Sequence, residues 1–236
     1  MAAGKPTQTL AFDVYGTLLD TGSISVTLTD HLKVPGEKAS EIATRWRMYQ
    51  LEYTWRMNSM GIYEPFDVVT RKSLLNAALD FGFDLSTTTA EAIYESYCTL
   101  SPYPDAVDAL KALGQHSDVE VVVFSNGSAN MISSAMDASS LAALVKKQYL
   151  ADSVRKYKPC PDIYRGLVEF VGRSSDPGKV WLVSGNPFDV TGARESGMNA
   201  IWVDRAGNGW HDRLVDAQPT TTVSSLTEVA SYILNL

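Results

Sequence analysis

The sequence predicts an α/β fold, a doubly wound parallel sheet with a helical insert, on three observations. Short apolar runs recur, each closed by polar residues: Leu10-Ala11-Phe12 before Asp13, Val121-Val122-Val123-Phe124 before Ser125-Asn126, and Val180-Trp181-Leu182-Val183 before Ser184-Gly185-Asn186. Helix-like stretches separate them, as in a parallel sheet whose strands are buried on both faces by crossover helices. Finally, roughly 105 residues lie between the first and second runs, whereas a crossover needs only about a dozen.

Taken in order, the first strand ends at Asp13 and the inserted segment follows. It reads as helical, because Ile42, Trp46, Tyr49, Tyr53 and Met57 repeat at helical spacing. Thr88-Thr89-Ala90-Glu91 fits a capping box that would open a further helix. Pro102 and Pro104 mark the return, which divides the chain into a core of residues 1–20 and 104–236 and a helical cap of residues 21–103. The cap carries 7 basic and 10 acidic side chains, so its charge gives no sign of a separate binding role. The aromatic stripe of Trp46, Tyr49 and Tyr53 reads as packing between helices or as a subunit contact. After the second and third strands, Ala200-Ile201-Trp202-Val203 offers a fourth, closed by the turn Asp204-Arg205-Ala206-Gly207-Asn208. Thr220-Thr221-Thr222 reads only as a short polar tract.

Composition narrows the function. Of 236 residues 45% are hydrophobic and 10% aromatic, enough for a real core and against disorder. Twenty Lys and Arg against 27 Asp and Glu leave a net charge of −7, which speaks against nucleic acid or an anionic membrane surface as partner. Cys98 and Cys160 form no C-x-x-C pair and are expected as free thiols. Residues 1–10 lack an apolar leader core, and residues 119–124 fall far short of the roughly 18 apolar residues a membrane span requires. A soluble, cytoplasmic protein is expected. His31, His116 and His211 lie outside every motif and read as surface or structural residues.

Ligands of open parallel sheets bind beyond the carboxyl ends of the strands. Those ends carry Asp13, Ser125, Asn126, Ser184, Asn186 and Asp189. A segment leaving the first strand just after Asp13 could fold over this edge as a lid that excludes water.

The turn Phe12-Asp13-Val14-Tyr15-Gly16-Thr17-Leu18 resembles the nucleophile motif of the haloacid dehalogenase superfamily. Ser125-Asn126-Gly127, Lys158-Pro159, the run Ser184-Gly185-Asn186-Pro187-Phe188-Asp189 and the helical stretch from Arg47 to Trp55 match in the same order. Two positions separate the branches. Superfamily phosphatases use Asp-x-Asp, the second aspartate serving as general acid and base. Here that position is Tyr15, whose phenol ordinarily titrates near ~10. They also hold Mg²⁺ with acidic residues four apart in the last motif, as a hard cation requires. Here the earlier of those positions is Gly185 and only Asp189 remains. The branch with this pattern is the L-2-haloacid dehalogenases, which Arg47-Met48-Tyr49-Gln50-Leu51-Glu52-Tyr53-Thr54-Trp55 also resembles.

That resemblance implies a Rossmann-like core under a helical cap, with no metal or cofactor and a homodimeric assembly. It implies hydrolysis of short L-2-haloalkanoic acids to D-2-hydroxy acids and halide through an ester on Asp13. Asp189 would be the base for water, which Ser184 and Asn186 help to place, and Lys158 would pair with both carboxylates. Ser125 and the backbone of Val14 and Tyr15 would take the substrate carboxylate. Arg47 and Asn126 would take the halide. Phe188, Leu51, Tyr15, Met48 and Phe66 would wall the pocket, and Thr17 and Tyr164 would orient Asp13 and Lys158. Met48 stands where a polar residue is common and Phe188 where tryptophan is, which bears on chain length and halogen preference. Two alternatives remain at this stage, a Mg²⁺-dependent phosphatase of the same superfamily and a non-catalytic scaffold or binding member.

Overall fold

A computed structural model of the chain describes residues 7–235. Residues 1–6 and 236, and with them most of the segment read as lacking a leader, lie outside the described residues. The elements are β1 (Gln8–Phe12), α1 (Ser25–Leu32), α2 (Gly36–Met60), α3 (Phe66–Asp80), α4 (Thr87–Tyr97), α5 (Ala106–Gly114), β2 (Val119–Ser125), α6 (Ala129–Ala138), β3 (Lys147–Leu150), α7 (Pro161–Phe170), β4 (Val180–Ser184), α8 (Pro187–Glu195), β5 (Asn199–Val203), β6 (Thr221–Val223) and α9 (Leu226–Ile233).

All strands run parallel in the order β3-β2-β1-β4-β5-β6. The doubly wound sheet expected from the apolar runs is therefore present, with β1 at its centre. Phe12 sits level with Val123 and Val183, so the ends of β1, β2 and β4 open side by side. The chain reverses direction of winding there, on either side of β1. Leu10, Ala11, Phe12, Val122, Val123, Phe124, Leu182 and Val183 are buried, as continuous aliphatic strands covered on both faces must be. Helix α7 shows how the covering works: Ile163, Tyr164, Leu167 and Val168 face the core while Asp162, Arg165 and Glu169 face water.

Two strands were not legible in the sequence. β3 (Lys-Gln-Tyr-Leu) and β6, built on the Thr221-Thr222 tract, are both edge strands. A strand half open to water needs no apolar run, which is why hydrophobicity alone passes over it.

Helices α1 to α4 lie between β1 and β2 in the chain. The segment leaves and returns through two stretches bonded to each other: Asp20 N donates to Ser101 O at 2.9 Å, and Tyr103 N to Leu18 O at 2.9 Å. Helix α2 packs along α3, and its buried stripe is Ile42, Trp46, Gln50 and Thr54, with Tyr49, Tyr53 and Met57 half-buried beside it. The expected stripe is thus turned by part of a helical turn, because Trp46 Nε1 donates to Thr70 O at 2.9 Å and Gln50 Nε2 to Thr70 Oγ1 at 3.1 Å, pulling polar side chains inward. The capping box expected at Thr88-Thr89-Ala90-Glu91 is also displaced. Ser86 caps α4, its Oγ accepting the Thr89 N–H at 3.1 Å, and Glu91 pairs with Arg71 instead at 2.8 Å. Among the described residues no helix is long and apolar enough to cross a membrane.

Candidate active site

The tight turn after β1 is made possible by Gly16, which adopts φ +84°, a conformation that costs a side-chain-bearing residue but not glycine. Gly16 N bonds Leu19 O at 2.8 Å, and Leu18 N bonds Val14 O at 2.9 Å. The turn leaves the Asp13 carboxylate at the strand end, buried but not sealed. Its Oδ2 accepts from Thr17 Oγ1 at 2.8 Å and from Asn186 Nδ2 at 2.7 Å, while Oδ1 accepts from Lys158 Nζ at 3.2 Å.

Lys158 joins the two carboxylates. Its Nζ also donates to Asp189 Oδ2 at 2.7 Å and to Phe124 O at 2.7 Å, and stands 4.0 Å from the centroid of the Phe124 ring. All three protons of the ammonium thus have acceptors, the condition for keeping a buried cation charged. Asp189, in the first turn of α8, is fully buried, and Tyr164 from α7 donates to its Oδ1 at 2.7 Å. Burial pushes the Asp189 carboxyl up to about 6, with the negative charge of Asp13 adding to the rise and Lys158 opposing it. Tyr164 is driven far above its ordinary range by burial first and by Asp189 second, which keeps it a neutral donor.

The sequence assigned Tyr164 to Lys158. The contact is instead to Asp189, because α7 packs against α8 and the bare backbone of Gly192 makes room for the phenol: a Cβ there would lie 2.5 Å from the hydroxyl. The Thr17 to Asp13 contact is as expected, and Thr17 Oγ1 in turn accepts the Gly185 N–H at 2.9 Å. Ser184 Oγ accepts the Asn186 N–H at 3.1 Å and so sets the Asn186 amide against Asp13.

At the end of β2, Ser125 Oγ accepts the Gly127 N–H at 3.0 Å, which leaves its own proton free to donate. Asn126 Oδ1 accepts the Lys158 N–H at 2.9 Å, so the amide turns its NH₂ away from that bond.

From α2, Arg47 Nη2 donates to Tyr15 O at 3.3 Å, a carbonyl that Asn186 Nδ2 also reaches at 3.0 Å. Tyr15 itself is buried, stacked on Tyr97 at 5.7 Å and tilted on Phe66 at 5.8 Å between centroids. Burial pushes its phenol far above its ordinary range, with the neighbouring Tyr97 adding to the effect, so it is no substitute for an acidic general acid. Leu51 and Phe188 are half-buried, and Met48 is 55% exposed, in a groove of about 270 Å³ that it shares with Thr21, Ala43, Arg47 and Leu51. Met48 is the most exposed of the hydrophobic side chains lining that groove.

Some residues of the site escaped sequence reading. Trp55 meets Phe188 edge-on at 5.5 Å, spanning from α2 to α8. Gln50 Oε1 accepts from Tyr97 at 2.9 Å, and the Arg47 charge lies beside that phenol. Trp55 and Gln50 both stand in the stretch from Arg47 to Trp55 that carries the resemblance, but neither was given a role there. Gly185 was read as a missing carboxylate, and its fuller role is steric. A Cβ there would lie 2.5 Å from Gly16 O, so no acidic side chain fits unless the backbone moves. Residues that could hold a metal are accordingly sparse: among the described residues there is no cluster of three or more His, Cys, Asp and Glu side chains of that kind. Cys98 and Cys160 are free, and the three histidines are exposed.

Comparison with known proteins agrees with this geometry. The haloacid dehalogenase-like hydrolase family matches residues 7–197. The chain is 30% identical over 231 residues to (S)-2-haloacid dehalogenase of Pseudomonas fluorescens, covering 98% of each chain. It is 34% identical over 203 residues to haloacetate dehalogenase H-2 of Moraxella sp. (strain B), covering 86% of this chain and 88% of that one. Its fold superposes on L-2-haloacid dehalogenase of Xanthobacter autotrophicus with chloropropionic acid covalently bound, at TM-score 0.87 and 26% identity, over 97% of this chain and 99% of that one.

Proposed function

This chain belongs to the haloacid dehalogenase-like hydrolases, in their L-2-haloacid dehalogenase branch, and on that premise we propose that it hydrolyses short L-2-haloalkanoic acids to D-2-hydroxy acids and halide. The observation that carries the reading is the Lys158 ammonium held 3.2 Å from Asp13 and 2.7 Å from Asp189. A fixed cation there offsets one of the two carboxylate charges.

In the first step Asp13 displaces halide from C2 with inversion and becomes an ester. Oδ1 is the freer oxygen, with one contact at 3.2 Å, so it is the nucleophile. Oδ2, held by Thr17 and Asn186, becomes the ester carbonyl. In the second step Asp189 takes a proton from water, which attacks the Asp13 carbonyl carbon. Thr17 and Asn186 then face the oxygen on which negative charge grows, an oxyanion hole made of side chains. The tetrahedral intermediate collapses by breaking the Cγ–Oδ1 bond while the C2–Oδ1 bond stays with the hydroxy acid, whose oxygen takes the proton back from Asp189, so each turnover leaves a solvent oxygen in Asp13.

The remaining roles are assigned from the resemblance to the L-2-haloacid dehalogenases. Ser125 and the Val14-Tyr15 backbone take the substrate carboxylate, Arg47 and the Asn126 NH₂ take the halide, and Phe188, Leu51, Tyr15, Phe66 and Met48 form the apolar wall. Residues 21–103 act as a cap on the core of residues 1–20 and 104–236. The reaction needs no metal or cofactor, and the protein works as a cytoplasmic homodimer.

Halide release from L- and D-2-chloropropionate, with chelator present, tests the activity. Release from the L isomer alone is expected. Repeated turnover in ¹⁸O-water should label Asp13, and Asp189→Asn should accumulate the ester on Asp13 in intact-mass and peptide spectra. A product labelled in its first turnover, or an adduct at another residue, overturns the mechanism.

A further inference from the structure

The lysine that joins the carboxylates is carried on a loop whose backbone is held from outside the core. Asn58, near the carboxyl end of α2, takes both polar groups of Tyr157: its Nδ2 donates to Tyr157 O at 2.7 Å, and its Oδ1 accepts from Tyr157 N at 3.0 Å. The next peptide is held from the core, where Asn126 Oδ1 accepts the Lys158 N–H at 2.9 Å. Three consecutive polar groups of the lysine loop are thus fixed by two asparagines on opposite sides.

The surroundings point the same way. Tyr157 is fully buried, 5.1 Å from the Tyr63 ring and 6.1 Å from Phe66, and its hydroxyl donates to Glu64 O. Tyr63 donates in turn to Asp152. Two residues before Tyr157, Arg155 adopts φ +52°, a left-handed conformation uncommon for any residue but glycine. A lysine side chain is long and flexible, so its backbone must be fixed if Nζ is to meet Asp13 and Asp189 at once.

We propose that Asn58 is a positioning residue for Lys158: by gripping the Tyr157 peptide it couples the seating of the helical segment to the placement of the ammonium between the two carboxylates. The Asn58 side-chain amide bonds the Tyr157 backbone rather than Asp13, Asp189 or the Lys158 ammonium. Its loss therefore acts on the chemical steps and leaves binding, which the groove and the strand ends supply, almost unchanged. This inference rests on the dehalogenase reading above.

The test compares Asn58→Leu, which keeps the shape and removes both bonds, with Asn58→Asp, which keeps only the acceptor for Tyr157 N–H. Active sites are counted by the halide burst, so that misfolded protein does not enter the rate. Asn58→Leu should lose about tenfold in kcat, the scale of a small misplacement of a catalytic group, while KM stays within about twofold. Asn58→Asp should fall between it and the parent, and Ser59→Ala, one residue on and exposed, should match the parent. A merely structural role would lower the count of active sites and the melting temperature with kcat per site unchanged, and that result overturns the inference. Amide exchange gives a readout independent of turnover: the Lys158 N–H should exchange faster in Asn58→Leu. If the parent releases no halide, the dehalogenase reading fails, and unaltered Lys158 exchange would then retire this one separately.

Discussion

The strand-end network and the α2 face that looks onto it are built to opposite specifications. Asp13, Lys158 and Asp189 are buried, every hydrogen-bonding atom of the lysine head is used, and neutral donors from Thr17, Asn186 and Tyr164 complete the set. Along α2, Arg47 and Leu51 are half-buried and Met48 is largely exposed, with Arg47 reaching the Tyr15 carbonyl at 3.3 Å. In a low-dielectric setting a half-satisfied ionic group is costly, so the buried set must be complete and tolerates little change. The exposed face has no such constraint and can vary with the molecule it is meant to admit. On the proposed mechanism the first region carries the bond-making groups, while the α2 face supplies Arg47 for the halide and the side chains that limit which acid fits.

Substitutions can break or sharpen that division. The largest effect is expected from Asp13→Asn, which removes the nucleophile and should lower kcat by at least about 10⁴-fold, measured as halide release. Lys158→Met comes next. It leaves two buried carboxylates without their shared cation, so it should cost on the order of 3–5 kcal/mol in denaturant unfolding as well as abolish turnover. A stable, active Lys158→Met would mean that the network is not one electrostatic unit. Gly185→Ala puts a methyl 2.5 Å from Gly16 O; it should destabilise by about 1–3 kcal/mol and lower kcat by moving the Thr17 contact.

The pH profile is a milder probe of the same network. In the proposed mechanism Asp189 must be ionised to accept a proton from water, and its carboxyl is raised to about 6 by burial and by Asp13. The rate of ester hydrolysis should hold above that value and fall as pH drops through it, whereas an unperturbed aspartate would hold activity down to about pH 4. The smallest effect is expected on the α2 face. Met48→Gln should change kcat/KM for two- against four-carbon acids by less than about tenfold, with kcat nearly constant for the preferred acid. A large loss of kcat there would erase the distinction between the two regions.

Much of the first region was legible in the chain. Asp13, Ser125, Asn126, Ser184, Asn186 and Asp189 follow buried apolar runs, and parallel strands in register bring their ends together. Lys158 sits in a loop with no periodic signal, and only its resemblance to a known motif singled it out. Tyr164 was assigned to the wrong partner because packing of α7 on α8, and the space left by Gly192, are not visible in local pattern. Asn58, Trp55 and Gln50 were missed because each lies within a helix whose phase depends on what it packs against, and α2 turned its polar residues inward toward Thr70. The edge strands β3 and β6 failed for the related reason that partial exposure removes the hydrophobic run.

By itself the sequence determined the four inner strands of the sheet and the side chains at their carboxyl ends, and the resemblance marked Tyr15 and Gly185 as places without an acidic residue. The strands and their end residues follow from period and turn chemistry, which act over a few residues. Only the tertiary structure decided which donor meets which carboxylate oxygen, why Gly185 excludes a side chain, and which helix holds the Lys158 loop. These are contacts between segments up to 173 residues apart, and a hydrogen bond is set by tenths of an ångström that local propensity cannot specify.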